Sequence, residues 1–215
     1  GTIVTTSLYV LVRGDSSGTG TGIIVASLVG LWAGTGGVAI SASRRKGTGS
    51  LAEDYGLRIE RRDIGIGILA GVLSQYVLVT VIVSLFNFID SSVDVGGQAQ
   101  QVTGEAAGIR LLALAPFLLL GAPFFEELYF RGLLQRAAVR RLGAGAGICL
   151  SALAFGLVHG TADLGGWSML ALITALAAFG AVLSWLAHRS GRLGPNIVAH
   201  ATFNSLTLLS LAIAQ

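Results

Sequence analysis

The chain has 215 residues, of which 53% are hydrophobic and only 12% are charged. Together with a mean hydropathy of +0.76, this composition excludes a soluble globular domain and indicates a polytopic membrane protein. The net charge of +3 could suggest a nucleic-acid partner. However, the basic residues lie in short loops beside apolar segments, so membrane topology explains them and no nucleic acid is expected to bind.

The N-terminal half, residues 1–108, is predicted to contain two full-length spans, 22–42 and 64–89. Segment 2–12 is apolar but too short to span. The polar stretch 43–63 is rich in lysine and arginine and is predicted to be cytoplasmic, whereas residues 90–108 contain neither residue type and are predicted to be external.

The C-terminal half, residues 109–215, is predicted to hold the chemistry. Its predicted helices cover residues 109–141, 148–160, 167–187 and 195–214. A glycine-rich turn is expected at 143–147, and Pro116 or Pro123 is expected to bend the long first helix, because each proline removes a backbone hydrogen bond. The whole chain is therefore predicted to be one all-α transmembrane bundle of about six or seven spans, with its catalytic core in the second half.

The distribution of charge supports an orientation. Eleven of the 14 basic residues fall in loops predicted to be cytoplasmic. Loops rich in lysine and arginine alternate along the chain with loops that are poor in them. We therefore expect an integral protein of the plasma membrane. The sequence gives no indication of oligomeric state.

An acidic pair and an arginine interrupt the apolar segment 111–134. Ionisable groups at membrane depth are costly and are usually retained for function. On a helix, Glu127 and Arg131 are four residues apart and can pair on one face, whereas Glu126 points about 100° away. We expect Glu126 to be the reacting carboxylate and Glu127 with Arg131 to support it. An ion pair that only stabilises helix packing is the alternative for the latter two.

Two further motifs place polar groups on apolar helices. Phe155 and His159 are four residues apart, and so are His200 and Asn204, so each pair shares one helix face. If the first two helices form a hairpin at Gly143, Glu126 lies 17 residues before the turn and His159 lies 16 after it. They would then reach nearly the same depth.

A carboxylate, two histidines and an amide suit hydrolysis by an activated water. Glu126 would accept a proton from water, His159 would orient it, and His200 with Asn204 would donate hydrogen bonds to the developing oxyanion. The same groups would also form a His-His-Glu zinc site with an open position. The zinc-protease motif H-E-x-x-H is absent, so the sequence leaves both versions open.

These three motifs, in this order and on three apolar helices, resemble the signature of the CPBP (CAAX protease and bacteriocin-processing) family, also called Abi. The resemblance spans Glu126 to Asn204. It implies an all-helical intramembrane endopeptidase that opens towards the cytosol and acts on a membrane-associated or lipidated peptide or protein. It also implies the site roles given above, with Glu127 and Arg131 at supporting positions. Family members are commonly labelled metalloproteases, although a glutamate mechanism without metal is also argued for them.

Two other functions remain as alternatives. A proton-coupled carrier would use the same groups as a relay, but it would be expected to show inverted repeats, and here the polar groups all lie in the second half. A non-catalytic membrane scaffold or immunity protein would bind a peptide without cutting it.

Overall fold

The computed structural model of the chain describes residues 21–96, 109–160 and 164–213. These ranges contain seven helices and no strand, which confirms the predicted helical bundle. The helices are α1 (Thr21–Lys46), α2 (Leu51–Tyr55), α3 (61–87), α4 (109–142), α5 (Ala144–Val158), α6 (Gly166–Ser190) and α7 (Gly194–Ile213). The predicted short segment 2–12 lies outside the described residues.

Four of the described helices are long and apolar enough to cross a membrane, judged by length and composition. They are Gly22–Lys46, Arg61–Asn87, Leu112–Leu142 and Gly166–Ser190. α5 is apolar but has only 15 residues. The described part of the chain therefore contains fewer full-length candidates than the six or seven spans predicted, because shorter helices complete the bundle.

The polar stretch predicted as a loop at 43–63 is largely helical. α1 continues to Lys46, since basic side chains are favourable near a helix C-terminus. The Ser50 hydroxyl accepts a hydrogen bond from the Glu53 amide and caps α2. α3 begins at Arg61 through a capping box made by Glu60 and Asp63.

α4 runs through both prolines without ending. Its α-helical parts, Ile109–Pro116, Ala122–Glu127 and Arg136–Leu142, are separated by π-helical turns at Phe117–Gly121 and Leu128–Gln135. Such turns absorb an extra residue in a helix and often lie at functional sites. The turn to α5 is shorter than the predicted 143–147, because Gly143 alone makes it, with a φ of 84° that glycine adopts easily.

α3 and α7 approach closely along a pair of glycines. A Cβ added to Gly71 would lie 2.6 Å from the Ala199 carbonyl oxygen, and one added to Gly67 would lie 2.8 Å from the Pro195 carbonyl oxygen. Both contacts are too short for any larger residue, so the glycines allow the backbones to meet. Ala199 directly precedes His200, so this contact helps to set the position of the histidine.

A buried ion pair fixes the other end of the same interface. Arg192, just before α7, donates from Nε to Asp63 Oδ2 at 3.2 Å, and its Nη2 bonds the second carboxylate oxygen. Asp63 is fully buried. The Leu193 amide also donates to the Gly56 carbonyl at 2.8 Å. The loop before α7 is therefore tied to α3 and to the end of α2.

Candidate active site

Glu127 lies at the centre of a buried chain of polar contacts. Arg131, one turn further along α4, donates from Nη1 to Glu127 Oε1 at 2.9 Å, as predicted from their spacing. The same oxygen is 2.9 Å from His200 Nδ1 on α7. Glu127 and Arg131 are 0% and 1% exposed. The two helices are thus joined through one carboxylate.

This contact defines the tautomer of His200. A carboxylate oxygen that already accepts from an arginine can only accept from the imidazole, so Nδ1 carries the hydrogen. Nε2 of the neutral ring then has a lone pair. The ring is held by two aromatic side chains that meet it edge to face, Phe155 with centroids 5.6 Å apart and Phe179 at 5.8 Å. Its orientation is therefore determined on three sides.

His159 is oriented by backbone rather than by a charge. It follows the last residue of α5, and its Nδ1 is 2.7 Å from the Phe155 carbonyl oxygen. A carbonyl only accepts, so Nδ1 of His159 also carries its hydrogen. Nε2 faces Glu126, with a separation of 3.7 Å from Oε2.

Glu126 completes the group from the neighbouring face of α4. Its Oε2 is also 3.9 Å from His200 Nε2, and it is buried without a hydrogen-bond partner among the described residues. The carboxylate side chain is 17% exposed, so the site is partly open. Separations just beyond hydrogen-bond length between polar atoms are the kind that a water molecule bridges.

The structure therefore brings Glu126, Glu127, Arg131, His159 and His200 together. When both histidines are neutral, each presents the lone pair of its Nε2 to Glu126 Oε2. Three acceptor atoms that converge in this way need a hydrogen-bond donor between them. A water molecule between them has two hydrogens and would donate to two of these three atoms.

Asn204 is directed elsewhere. Its Nδ2 donates to the Leu118 carbonyl oxygen on α4 at 2.8 Å. This carbonyl lacks its helical partner, because the Ala122 amide bonds Phe117 in the π-helical turn and Pro123 has no N–H to offer. Asn204 thus stabilises the irregular part of α4. Its amide has a second hydrogen that this bond does not use, so its predicted oxyanion role stays a prediction.

A zinc ion would find suitable ligand types here, since two histidines and a glutamate can leave an open coordination position. Their Nδ1 hydrogens are also engaged in the way common for zinc ligands. However, no group of three or more His, Cys, Asp or Glu side chains among the described residues is arranged so that it could hold a metal ion. A zinc ion stays a prediction from the sequence, and no chemical step is derived through a metal.

An apolar cavity of about 1040 Å³ adjoins the site. It lies between α3, α4 and α7, next to the chain neighbours of Glu126 and His200. Lining residues include Val72, Leu119, Phe124, Phe125, Ala201 and Thr202. The polar site therefore has an apolar compartment beside it.

Several contributors to the site have no signal in the sequence. Phe179 contacts His200, and the Gly180 carbonyl accepts from Arg131 Nη2 at 3.2 Å. An aromatic ring or a glycine in an apolar helix looks the same whether or not it touches a functional group. These contacts depend on how α6 packs against α4 and α7.

The second half of the chain matches a known family. The family model described as type II CAAX prenyl endopeptidase Rce1-like matches residues 108–206. This stretch is just under half of the chain, and over it the sequence is similar to the Rce1-like family. The match includes all six predicted site residues and confirms the CPBP resemblance of the motifs.

Similarity to this family supports a CAAX-type endopeptidase at the level of the family, whose substrates are prenylated, membrane-associated proteins. It also agrees with the long apolar helices in indicating an integral membrane protein. Neither the curated proteins nor the solved structures give a significant match to the chain.

Proposed function

We propose that the chain is an intramembrane endopeptidase of the CAAX type, in which Glu126 and His159 activate a water molecule. The main support is the convergence of Glu126 Oε2 with Nε2 of His159 at 3.7 Å and Nε2 of His200 at 3.9 Å. The partly open carboxylate gives water a route to these atoms. The Rce1-like match supports the same reaction class independently.

In the proposed reaction, the water bound at Glu126 gives one proton to the carboxylate while its oxygen attacks the peptide carbonyl carbon. His159 Nε2 accepts a hydrogen bond from the second O–H of the water, which directs the oxygen lone pair at the carbonyl carbon. The tetrahedral intermediate then collapses, the carbon–nitrogen bond breaks, and the proton held by Glu126 passes to the leaving amine. Atoms and protons balance without another reactant.

His200 would stabilise the oxyanion only when it carries two hydrogens. Its Nδ1–H is engaged by Glu127, so a neutral ring offers a lone pair at Nε2. In that form the ring would donate from Nε2 to the oxyanion. The second amide hydrogen of Asn204 is the other candidate donor.

We further propose that the apolar cavity beside Phe124 and Phe125 receives the lipid anchor or apolar side chains of the substrate. Its volume of about 1040 Å³ is in the upper range of ligand pockets. Filling it would place a lipidated peptide next to Glu126. Ala201→Phe would narrow the cavity, so cleavage of a lipidated peptide should show a raised KM, with a smaller effect on an unlipidated one.

For orientation, we propose that the site opens towards the cytosol at the plasma membrane. Three basic segments meet at one end of the bundle, because Arg192 pairs with Asp63 and Arg136 donates to the Gly191 carbonyl. This clustering agrees with the positive-inside rule. In a Cys149→Ser background, Arg45→Cys and Arg189→Cys should each react with a membrane-impermeant thiol reagent only when the cytosolic face is exposed. Reaction from the outside would reverse the orientation.

The decisive experiment is peptide cleavage by the purified protein in detergent. A library of C-terminal peptides, with and without a prenyl group, is incubated with wild type, Glu126→Gln and Glu53→Gln, a matched loss of charge at an exposed site. We expect Glu126→Gln to lower kcat at least about 100-fold, and Glu53→Gln to have no effect. Each protein is also assayed with a chelator and with added zinc.

Full activity of Glu126→Gln would refute the assigned role. Activity that survives chelation supports the water mechanism without metal, whereas loss that zinc restores would show that a metal ion takes part. If the wild type cuts no peptide but retains some of them, a non-catalytic peptide-binding role replaces the proposal.

A further inference from the structure

A second, smaller cavity of about 300 Å³ lies between the ends of α4 and α6, near the turn before α7. It is lined by Arg131, Gln135, Arg136, Val139, Arg140, Ala187, His188 and Gly191. By volume it would hold about ten water molecules. It is separate from the apolar cavity and shares no lining residue with it.

The lining of this basic pocket has an excess of positive charge. It includes three arginines and a histidine and no acidic side chain. Arg131 is neutralised by Glu127, but Arg136 and Arg140 are four residues apart on α4, where like charges repel. An anion between them would remove that repulsion.

Two of the lining side chains each have a buried polar atom without a partner among the described residues. They are Nε of Arg131 and Oε1 of Gln135, on side chains that are 1% and 3% exposed. Because Gln135 Nε2 donates to the Ser184 carbonyl at 2.8 Å, its oxygen must be the free atom of the amide. The pocket thus offers one buried donor and one buried acceptor, and unpaired groups of this kind indicate a missing polar ligand.

The position of the pocket specifies the source of such a ligand. It lies at the ends of two candidate spans, Leu112–Leu142 and Gly166–Ser190, which is the level of the lipid headgroups. Basic pockets between transmembrane helices bind anionic headgroups in this position. We propose that the basic pocket binds the phosphate group of an anionic phospholipid, with the arginines on the phosphate and Gln135 on a headgroup hydroxyl.

This inference goes beyond the proposed peptidase activity and does not depend on it, because lipid binding is measured without a peptide. The two sites nevertheless share Arg131, whose Nη1 donates to Glu127 while the residue also lines the pocket. Occupancy of the pocket should therefore stabilise the Arg131–Glu127–His200 chain.

The test compares the full chain in nanodiscs of phosphatidylcholine alone and with phosphatidylglycerol, with retained lipid measured by native mass spectrometry. Arg140→Gln removes an exposed lining charge that makes no hydrogen bond within the described structure, and Arg141→Gln removes its neighbour, which does not line the pocket. We expect wild type and Arg141→Gln to retain phosphatidylglycerol, and Arg140→Gln to bind it about tenfold more weakly. A third arm adds inorganic phosphate to the nanodiscs that contain phosphatidylglycerol.

Equal retention of both lipids by the wild type would overturn the proposal, and so would equal weakening by Arg140→Gln and Arg141→Gln. If inorganic phosphate competes with phosphatidylglycerol in the wild type but not in Arg140→Gln, the phosphate group is the recognised part. Gln135→Leu, which leaves all the arginines in place, should reduce the preference for phosphatidylglycerol over phosphatidic acid. An unchanged preference would contradict the role of Gln135.

Discussion

Arg131→Met should destabilise the protein strongly, because it leaves a buried carboxylate without its cation. Arg131 is 1% exposed and Glu127 is 0% exposed. The change removes the 2.9 Å ion pair to Glu127, the 3.2 Å bond to the Gly180 carbonyl and the guanidinium 4.3 Å above the Phe155 ring. Removing one partner of a buried pair typically costs about 3–5 kcal/mol. We expect a loss of this size in the free energy of unfolding, measured by detergent-titration unfolding with tryptophan fluorescence.

The double variant Glu127→Leu with Arg131→Met separates charge compensation from packing. It removes both charges and keeps apolar volume, so most of the lost stability should return, to within about 1–2 kcal/mol of wild type. Peptidase activity should not return, since His200 has lost the acceptor at Nδ1. The free energy of unfolding of Arg131→Met could instead lie within about 1 kcal/mol of the wild-type value, or the double variant could be as unstable as the single variant. Either result would show that the pair is not the buried electrostatic contact described above.

Three further outcomes follow from the helix interfaces and loops. Gly71→Leu should separate α3 from α7 and reduce peptidase activity more than Gly71→Ala does. The reason is that even an added Cβ would lie 2.6 Å from a carbonyl oxygen of α7. Equal activity of the two variants would contradict the close packing. Asp63→Asn should lower the melting temperature by leaving Arg192 without a buried counter-charge, an effect that Arg192→Met in the same protein should partly reverse. Hydrogen bonding from Ser43 and from nearby backbone amides lowers the pKa of Asp54 from its usual 3.8. The stabilisation from these bonds is therefore present above that value and is lost as acid protonates the folded carboxyl. Acidification from pH 6 to pH 3 should destabilise wild type more than Asp54→Asn, and identical losses of stability would refute the contact.

The sequence was sufficient to predict the helical membrane bundle and the residues that meet in the site. The reason is that a few polar groups in apolar helices must find each other, so Glu126, Glu127, Arg131, His159 and His200 are close in the structure. His159 lies at the level of Glu126, as expected for a hairpin at Gly143, with 3.7 Å between Nε2 and Oε2. The energetic cost of isolated polar groups in an apolar interior makes such residues informative.

The direction of each polar group could not be predicted in the same way. Asn204 lies on the expected helix, yet its amide bonds the Leu118 carbonyl, because a π-helical turn leaves that carbonyl without a partner. Periodicity assumes a regular helix and gives no sign of such a turn. For the same reason the loop at 43–63 was not recognised as helical, although Ser50 and Glu53 have the spacing of a helix cap.

The contacts behind the two histidines explain why Glu126 is the carboxylate that we propose as the reacting group. Glu127 and the Phe155 carbonyl each accept from an Nδ1, so neither ring can turn without losing a hydrogen bond. Their Nε2 atoms are held towards the same oxygen of a carboxylate that has no arginine of its own. Arg131 is bonded instead to Glu127. The two adjacent acids therefore have different surroundings. Glu127 is paired with Arg131 and orients His200, whereas Glu126 faces two histidine nitrogens in a partly open site. This difference supports the proposal that Glu126, and not Glu127, is the general base.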